Sequence, residues 1–113
     1  LGKNDNLEVL DLMMNKITEL DLSQLPKLRE LAITDNRLTT IDLSKLKNLR
    51  EFYGSYNKVG KLDTKQNPNL EVLACASMGL TELDLSNNPK LENLTAGIYV
   101  VNVANQSVKF IKR

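Results

Sequence analysis

The fold of this chain is decided by five stretches that share one pattern. They are LEVLDLMMNKI (residues 7–17), LRELAITDNRL (28–38), LREFYGSYNKV (49–59), LEVLACASMGL (70–80) and LENLTAGIYVV (91–101). Their first leucines stand at positions 7, 28, 49, 70 and 91, so the pattern returns every 21 residues. A fixed period of this kind indicates an array of repeats, each of which can bury its apolar side chains only by stacking on its neighbours.

Apolar side chains recur at fixed positions of the repeat, counted from its first leucine. The fourth and sixth positions, such as Leu10 and Leu12, enclose one outward residue, which is the alternation of a short strand. The eleventh and fourteenth positions supply further inward side chains. We predict a right-handed solenoid of about five coils with one parallel sheet. Its strands are expected near residues 9–13, 30–34, 51–55, 72–76 and 93–97.

Asparagine occupies the ninth position of the first three units, as Asn15, Asn36 and Asn57. A buried amide needs partners, so we predict that these side chains bond to the backbone at the bend after each strand. Met78 and Tyr99 take this position in the last two units, which predicts a different bend there. Gly79, directly after Met78, tolerates a positive φ.

The pattern L-x-x-L-x-L-x-x-N-x-L resembles the leucine-rich repeat, and the resemblance covers nearly the whole chain. LTELDLSNNPKLENL (80–94) is similar to bacterial surface and secreted members, of the internalin-like type or the type frequent in Bacteroides. The resemblance implies a leucine-rich repeat solenoid that is mostly β and loop, with few or no long helices. It also implies a non-catalytic recognition module in a secreted or cell-surface protein, with its asparagines stacked as a ladder.

We predict a single leucine-rich repeat domain over residues 1–113. Residues 1–6 form the tail of a preceding repeat, residues 7–27, 28–48, 49–69 and 70–90 are repeats, and residues 91–113 hold the last repeat and a C-terminal β cap. Because residues 1–6 align with the end of later repeats, we expect the chain to be part of a longer protein. Ala104 and Asn105 are expected at the fourteenth and fifteenth positions of the last unit. A terminal hairpin or strand pair is expected from the β-prone runs at residues 98–103 and 108–111, on either side of residues 104–107.

Composition argues against several classes of function. Fifteen Lys and Arg balance 14 Asp and Glu, so no net field favours nucleic acid. No apolar run is long enough to insert in a membrane. The chain has no histidine, no GxSxG or P-loop spacing, and one cysteine, Cys75, at an inward position. We therefore predict no enzyme activity, no cofactor and no catalytic metal, and a buried, slowly reacting thiol.

Four carboxylates share the fifteenth position. They are Asp21, Asp42, Asp63 and Asp84. Aligned carboxylates suit calcium, whereas an aspartate also accepts backbone N–H bonds from a following turn. We favour the turn, because calcium also requires carbonyl ligands from a loop.

The outward strand positions are the third, fifth, seventh and eighth, and they contain four acids and no Lys or Arg. Tyrosines beside small residues are typical of protein interfaces. The predicted partner-binding residues are Tyr53, Tyr56, Asp11, Met13, Glu30, Glu51, Thr34 and Ser55. We expect a protein partner with a basic or apolar surface; a glycan ligand and a structural spacer remain alternatives. Lys16, Arg37 and Lys58, at the tenth position, are interpreted as a solvated rim that pairs with nearby acids such as Asp35.

Overall fold

The structure is a computed structural model, which describes residues 5–93 and 109–111. Four short strands form one sheet in chain order. They are β1 (Val9–Asp11), β2 (Glu30–Ala32), β3 (Glu51–Tyr53) and β4 (Val72–Ala74). All are parallel, and their register joins residues one repeat apart, such as Leu10 with Leu31. The predicted solenoid is confirmed, and the units that begin at residues 7, 28, 49 and 70 are its first to fourth coils.

The strands are three residues long, shorter than the five-residue spans predicted. Backbone hydrogen bonds between coils continue beyond them, from Leu12 N–H to Ala32 O at 2.8 Å and from Met14 N–H to Thr34 O at 2.9 Å. The fifth predicted strand, residues 93–97, begins at Asn93, where a 3₁₀ helix (Pro89–Asn93) ends. The rest of that span lies outside the described residues, as does Tyr99.

A second, two-stranded sheet lies on the return side of the fourth coil. Strand β5 (Glu82–Asp84) pairs in parallel with β6 (Lys109–Ile111), and Leu83 is in register with Phe110. The expectation that residues 104 and 105 follow Leu83 and Asp84 in register is wrong, because residues 110 and 111 take these places. Within the described part of the chain, no helix is long and apolar enough to cross a membrane.

The core is one continuous cluster of buried leucines to which every described coil contributes. Burying a leucine side chain contributes roughly 1.5–3 kcal/mol, and no single coil encloses its own leucines. In the first coil, Leu7, Leu10, Ile17 and Leu20 are only half-buried, because a described coil covers them on one side only. Cohesion therefore depends on contacts between coils rather than within them.

The predicted asparagine ladder is present in the second and third coils. The Asn36 amide donates to Leu12 O at 2.9 Å and Ile33 O at 2.8 Å, and its carbonyl accepts the Asn15 and Ile17 N–H groups at 2.9 Å. Asn57 is buried one coil later, where its amide donates to Ile33 O and Gly54 O and its carbonyl accepts the Leu38 N–H. The side-chain amide of Asn15, at the exposed end of the ladder, donates only to the backbone of its own coil, at Met13 O. Each buried rung thus ties two coils together.

The ladder stops at Met78, which is 1 % exposed and cannot replace an amide. In the second and third coils, the N–H of the tenth residue donates to a carbonyl of the preceding coil; Lys58 N–H, for example, donates to Leu38 O at 3.1 Å. At Met78 the donor and acceptor coils are exchanged: Gly60 N–H of the third coil donates to Met78 O of the fourth coil at 3.0 Å. Gly60 and Gly79 have φ values of +74° and +73° and lie against each other. The predicted change of bend is confirmed for the fourth coil.

The aligned aspartates close turns on the return side. Each accepts the N–H of the residue two positions later at 2.9 Å. Hydrogen bonds from the Ser23 hydroxyl and N–H lower the pKa of Asp21, and Ser44 lowers the pKa of Asp42 in the same way. The turn interpretation is confirmed. Among the residues that the structure describes, no group of three His, Cys, Asp or Glu side chains is placed to hold a metal ion.

A second buried polar cluster was not predicted. Thr64, Asn67 and Asn88 replace leucines of the return segment, where Leu43 and Leu46 are buried in the second coil. The Asn88 amide donates to Thr64 O and Asn67 O, both at 2.9 Å, and the Thr64 hydroxyl donates to Asn88 Oδ1 at 2.7 Å. The Asn67 amide donates to Leu43 O and Leu46 O. The return segments of these coils are therefore joined by amides as well as by apolar contacts.

Candidate functional site

The outward side chains of the four-stranded sheet form two rows across the coils. One row is Val9, Glu30, Glu51 and Val72, and the other is Asp11, Ala32, Tyr53 and Ala74. Neighbours in a row are one strand apart, which is about 4.8 Å. The register therefore brings four predicted partner-binding residues, Asp11, Glu30, Glu51 and Tyr53, onto one surface.

A hollow of about 310 Å³ opens on this surface, and we call it the face hollow. It is lined by Val9, Leu10, Asp11, Met13, Glu30, Leu31, Ala32, Thr34 and Tyr53. Five of these are predicted partner-binding residues. The short side chain of Ala32 lies between Asp11 and Tyr53 in the row and leaves the space open. Val9 and Met13 are 47 % and 41 % exposed, so the hollow has an apolar wall that faces solvent.

Tyr53 is held in place at the edge of the face hollow. Its hydroxyl donates a hydrogen bond to Glu51 Oε1 at 2.5 Å, across the two outward positions of β3. This bond, together with partial burial and the charges of Glu51 and Glu30, raises the pKa of Tyr53 to about 12. The ring is therefore oriented before any partner arrives, which reduces the conformational entropy lost on binding.

The outward positions predict a sheet face with acids and no bases, but two arginines lie beside its glutamates. Arg29, at the second position of its coil, pairs with Glu30 at 3.2 Å and with Glu8 at 2.9 Å. Arg50, at the second position of the third coil, pairs at 3.0 Å with Glu71, at the second position of the fourth coil. These exposed pairs lie at one border of the sheet and partly neutralise its carboxylates. A count of outward residues misses them, because the arginines belong to the adjoining turn.

Ser55 and Thr34, both predicted to contact a partner, differ in exposure. Thr34 lines the face hollow and is half-buried. Ser55 is only 8 % exposed, and its hydroxyl accepts a hydrogen bond from Ala76 N–H at 3.1 Å. The strand ends at Tyr53, and the short Ser55 side chain turns towards the next coil. The structure thus gives Ser55 a role in stacking the coils.

Tyr56 lies in the bend after β3. Its φ is +63°, and the eighth position has a similar φ in the other described coils: +58° at Met14, +59° at Asp35 and +54° at Ser77. A left-handed residue turns the chain away from the strand direction, so this position leaves the sheet face. Tyr56 is 59 % exposed and does not line the face hollow. The structure thus separates two tyrosines that the sequence pattern had placed together.

Tyr56 instead lines another hollow of about 400 Å³, which we call the Tyr56 hollow. The other lining residues are Asn36, Arg37, Leu38, Thr39, Lys58 and Ser77. Two are bases, and none is an acid. The predicted pairing of Lys16, Arg37 and Lys58 with nearby acids is not found, because no ion pair joins them to a carboxylate within residues 5–93.

Comparison with protein families matches two models to this chain. A model described as Leucine Rich repeats (2 copies) matches residues 5–46, and one described as Leucine Rich Repeat matches residues 79–99. The first match contains the first coil and most of the second, with the Asn36 rung of the ladder, and the second match contains the core residues Leu80, Leu83, Leu85 and Leu91. The chain is built from leucine-rich repeats. A search of curated proteins finds no match to it.

A solved structure with the same leucine-rich repeat architecture is the functional domain of InlJ from Listeria monocytogenes. It is 26 % identical in sequence, with a TM-score of 0.64, and the match covers 97 % of this chain. The chain spans 30 % of the length of that InlJ chain. The similarity is consistent with the bacterial, internalin-like type of leucine-rich repeat.

The InlJ domain is described as including a cysteine ladder. This leucine-rich repeat chain has one cysteine and carries an asparagine ladder instead. The thiol of Cys75 is buried, as predicted, and burial raises its pKa to about 12. Stacked repeats create extended surfaces that bind other molecules, and the repeat class is typical of protein-interaction modules.

Proposed function

We propose that this chain is a non-catalytic recognition module that binds a protein partner through its sheet face, with the face hollow as the centre. The observation that carries the proposal is the convergence of Asp11, Met13, Glu30, Thr34 and Tyr53 around one partly apolar space. Binding free energy concentrates where an aromatic anchor lies beside a pocket that excludes water. Tyr53 and the hollow provide such an arrangement.

The partner is expected to insert an apolar side chain into the face hollow and to surround it with Lys or Arg. Val9 and Met13 supply the apolar wall, and the flexible methionine adapts to the shape of the inserted group. Asp11, Glu30 and Glu51 supply negative charge next to it. Opposite charges on the partner speed association and fix its orientation.

We infer a secreted or cell-surface context from the similarity to InlJ, and no catalytic role from the residues available. The chain has no histidine, the commonest general base near neutral pH, and its only thiol has a raised pKa. A structural spacer is the competing function. It predicts that no substitution on the sheet face changes any interaction.

The test is a comparison of immobilised wild-type chain with Tyr53→Ala and Thr40→Ala. Thr40 is exposed on the return side and serves as the matched control. Proteins captured from extracellular fractions are measured by quantitative mass spectrometry. A partner retained by wild type and Thr40→Ala but lost by Tyr53→Ala supports recognition through the sheet face. Capture of no protein by any of the three chains favours a spacer, and identical capture of a partner by all three excludes the sheet face as its site. The same residue dependence on a glycan array replaces the protein partner with a sugar.

A further inference from the structure

The bend after the strands carries a surface whose charge is opposite to that of the sheet face. The Tyr56 hollow contains Arg37 and Lys58, one base from each of two successive coils, and no carboxylate lines it. The face hollow contains Asp11 and Glu30 and no base. The two hollows share no lining residue, so a substitution in one leaves the lining of the other unchanged.

The bases of the Tyr56 hollow are exposed and have no acidic partner among the residues that the structure describes. Elsewhere on this chain, Arg29 and Arg50 are paired with glutamates. Arg37 and Lys58 are therefore free to bond to a carboxylate from another molecule. The guanidinium of Arg37 suits a bidentate bond, and the ammonium of Lys58 adds a second contact.

Tyr56 adds an apolar contact to these charges. The side chain is 59 % exposed although its backbone has a φ of +63°, which is unfavourable for a bulky residue. The hydroxyls of Thr39 and Ser77, both exposed in the same hollow, can bond to the backbone of a bound peptide. The hollow thus offers charge, an aromatic ring and hydrogen-bonding groups within one space.

We propose that the Tyr56 hollow is a second binding site, which takes an acidic peptide segment of a protein partner. Its Asp or Glu carboxylates bond to Arg37 and Lys58, and an apolar side chain of the segment packs on the Tyr56 ring. The sheet face requires the opposite chemistry, so the two surfaces engage different partners or different parts of one partner.

The test measures binding of two labelled synthetic peptides to the whole chain by fluorescence anisotropy near physiological salt. One peptide alternates Glu with Leu, and its control alternates Gln with Leu. The wild-type chain is expected to bind the Glu–Leu peptide about tenfold or more tightly than the Gln–Leu peptide. The double variant Arg37→Glu/Lys58→Glu should weaken Glu–Leu binding by about tenfold or more, and Tyr56→Asn, which tolerates the left-handed backbone, should do the same.

Two controls separate this site from general electrostatics and from the sheet face. Lys45→Glu/Lys65→Glu makes the same change in net charge at exposed positions outside the hollow and should change the affinity by about twofold or less. Tyr53→Ala should leave Glu–Leu binding unchanged even if it abolishes binding at the sheet face. Equal affinity of the wild type for both peptides overturns the proposal. It is also overturned if the Lys45/Lys65 variant loses as much affinity as the Arg37/Lys58 variant.

Discussion

The ring of Phe52 fills the space that a side chain at Gly54 would need. A Cβ at Gly54 would lie 2.5 Å from Phe52 Cζ and 2.6 Å from Phe52 Cε2. The other described coils have leucine where Phe52 stands, and a larger residue where Gly54 stands. In the third coil, the large ring of Phe52 therefore occupies the volume that the missing side chain of Gly54 leaves free, which keeps the core close-packed.

This relationship predicts strong coupling between the two positions. Gly54→Ala should destabilise the chain by about 2 kcal/mol, because overpacking forces the ring to move. Phe52→Leu alone should also destabilise, through the cavity that it leaves. The double variant should be more stable than the sum of the single effects predicts, with a coupling of about 1 kcal/mol or more in chemical denaturation. Additive effects would show that the glycine is not required by the ring.

The asparagine ladder predicts different effects at its two ends. Asn57→Ala removes bonds to Ile33 O, Gly54 O and the Leu38 N–H inside the core, so it should destabilise the chain by about 2 kcal/mol or more. Asn15 is exposed and its side-chain amide donates to Met13 O alone, so Asn15→Ala should change stability by about 0.5 kcal/mol or less. Both are measured by denaturant unfolding. Equal losses would contradict the unequal burial of the two amides.

The bond between Tyr53 and Glu51 predicts an alkaline pH dependence. The protonated phenol is the donor, and its pKa is raised from 10.0 to about 12. The contribution of this bond to stability is complete below pH 10 and is lost as the pH rises towards 12. The difference in phenolate absorbance between wild type and Tyr53→Phe should therefore titrate near pH 12 in the folded chain. A difference centred near pH 10 would mean that the bond is absent in solution.

Tyr56 predicts a conflict between stability and binding. The left-handed backbone disfavours tyrosine, and the exposed ring contributes little burial, so Tyr56→Asn should stabilise the chain by about 0.5–1 kcal/mol. The same substitution should weaken binding of the acidic peptide that is proposed for the Tyr56 hollow. Thermal unfolding gives the first quantity. A destabilised Tyr56→Asn would indicate that the ring supports the fold instead.

The period of the leucines was sufficient to predict the parallel sheet, the core and the asparagine rungs, because each repeated position has one physical environment. The period could not predict at which residue the alternation of inward and outward side chains along a strand ends. Counting places Ser55 and Tyr56 outward, but the left-handed residue at the eighth position of each described coil changes the direction of the chain.

Changes specific to a few coils were also beyond the repeat pattern. Asn67 and Asn88 replace leucines of earlier repeats, and the proline after each gives no sign of the change, because Pro26 also follows the buried Leu25. Phe110 pairs with Leu83 although the two lie further apart in sequence than one repeat, so a fixed period could not predict this register. Pairing of Arg29 with Glu30 depends on side-chain reach from the adjoining turn.

The central claim is that the face hollow beside Tyr53 is where a partner binds, and the dissociation constant of a captured partner tests it most directly. We expect Tyr53→Ala to raise Kd by about thirtyfold or more, which corresponds to about 2 kcal/mol, while Thr40→Ala changes it by less than about twofold. A Kd that is unchanged by Tyr53→Ala and raised by Thr40→Ala would contradict the account.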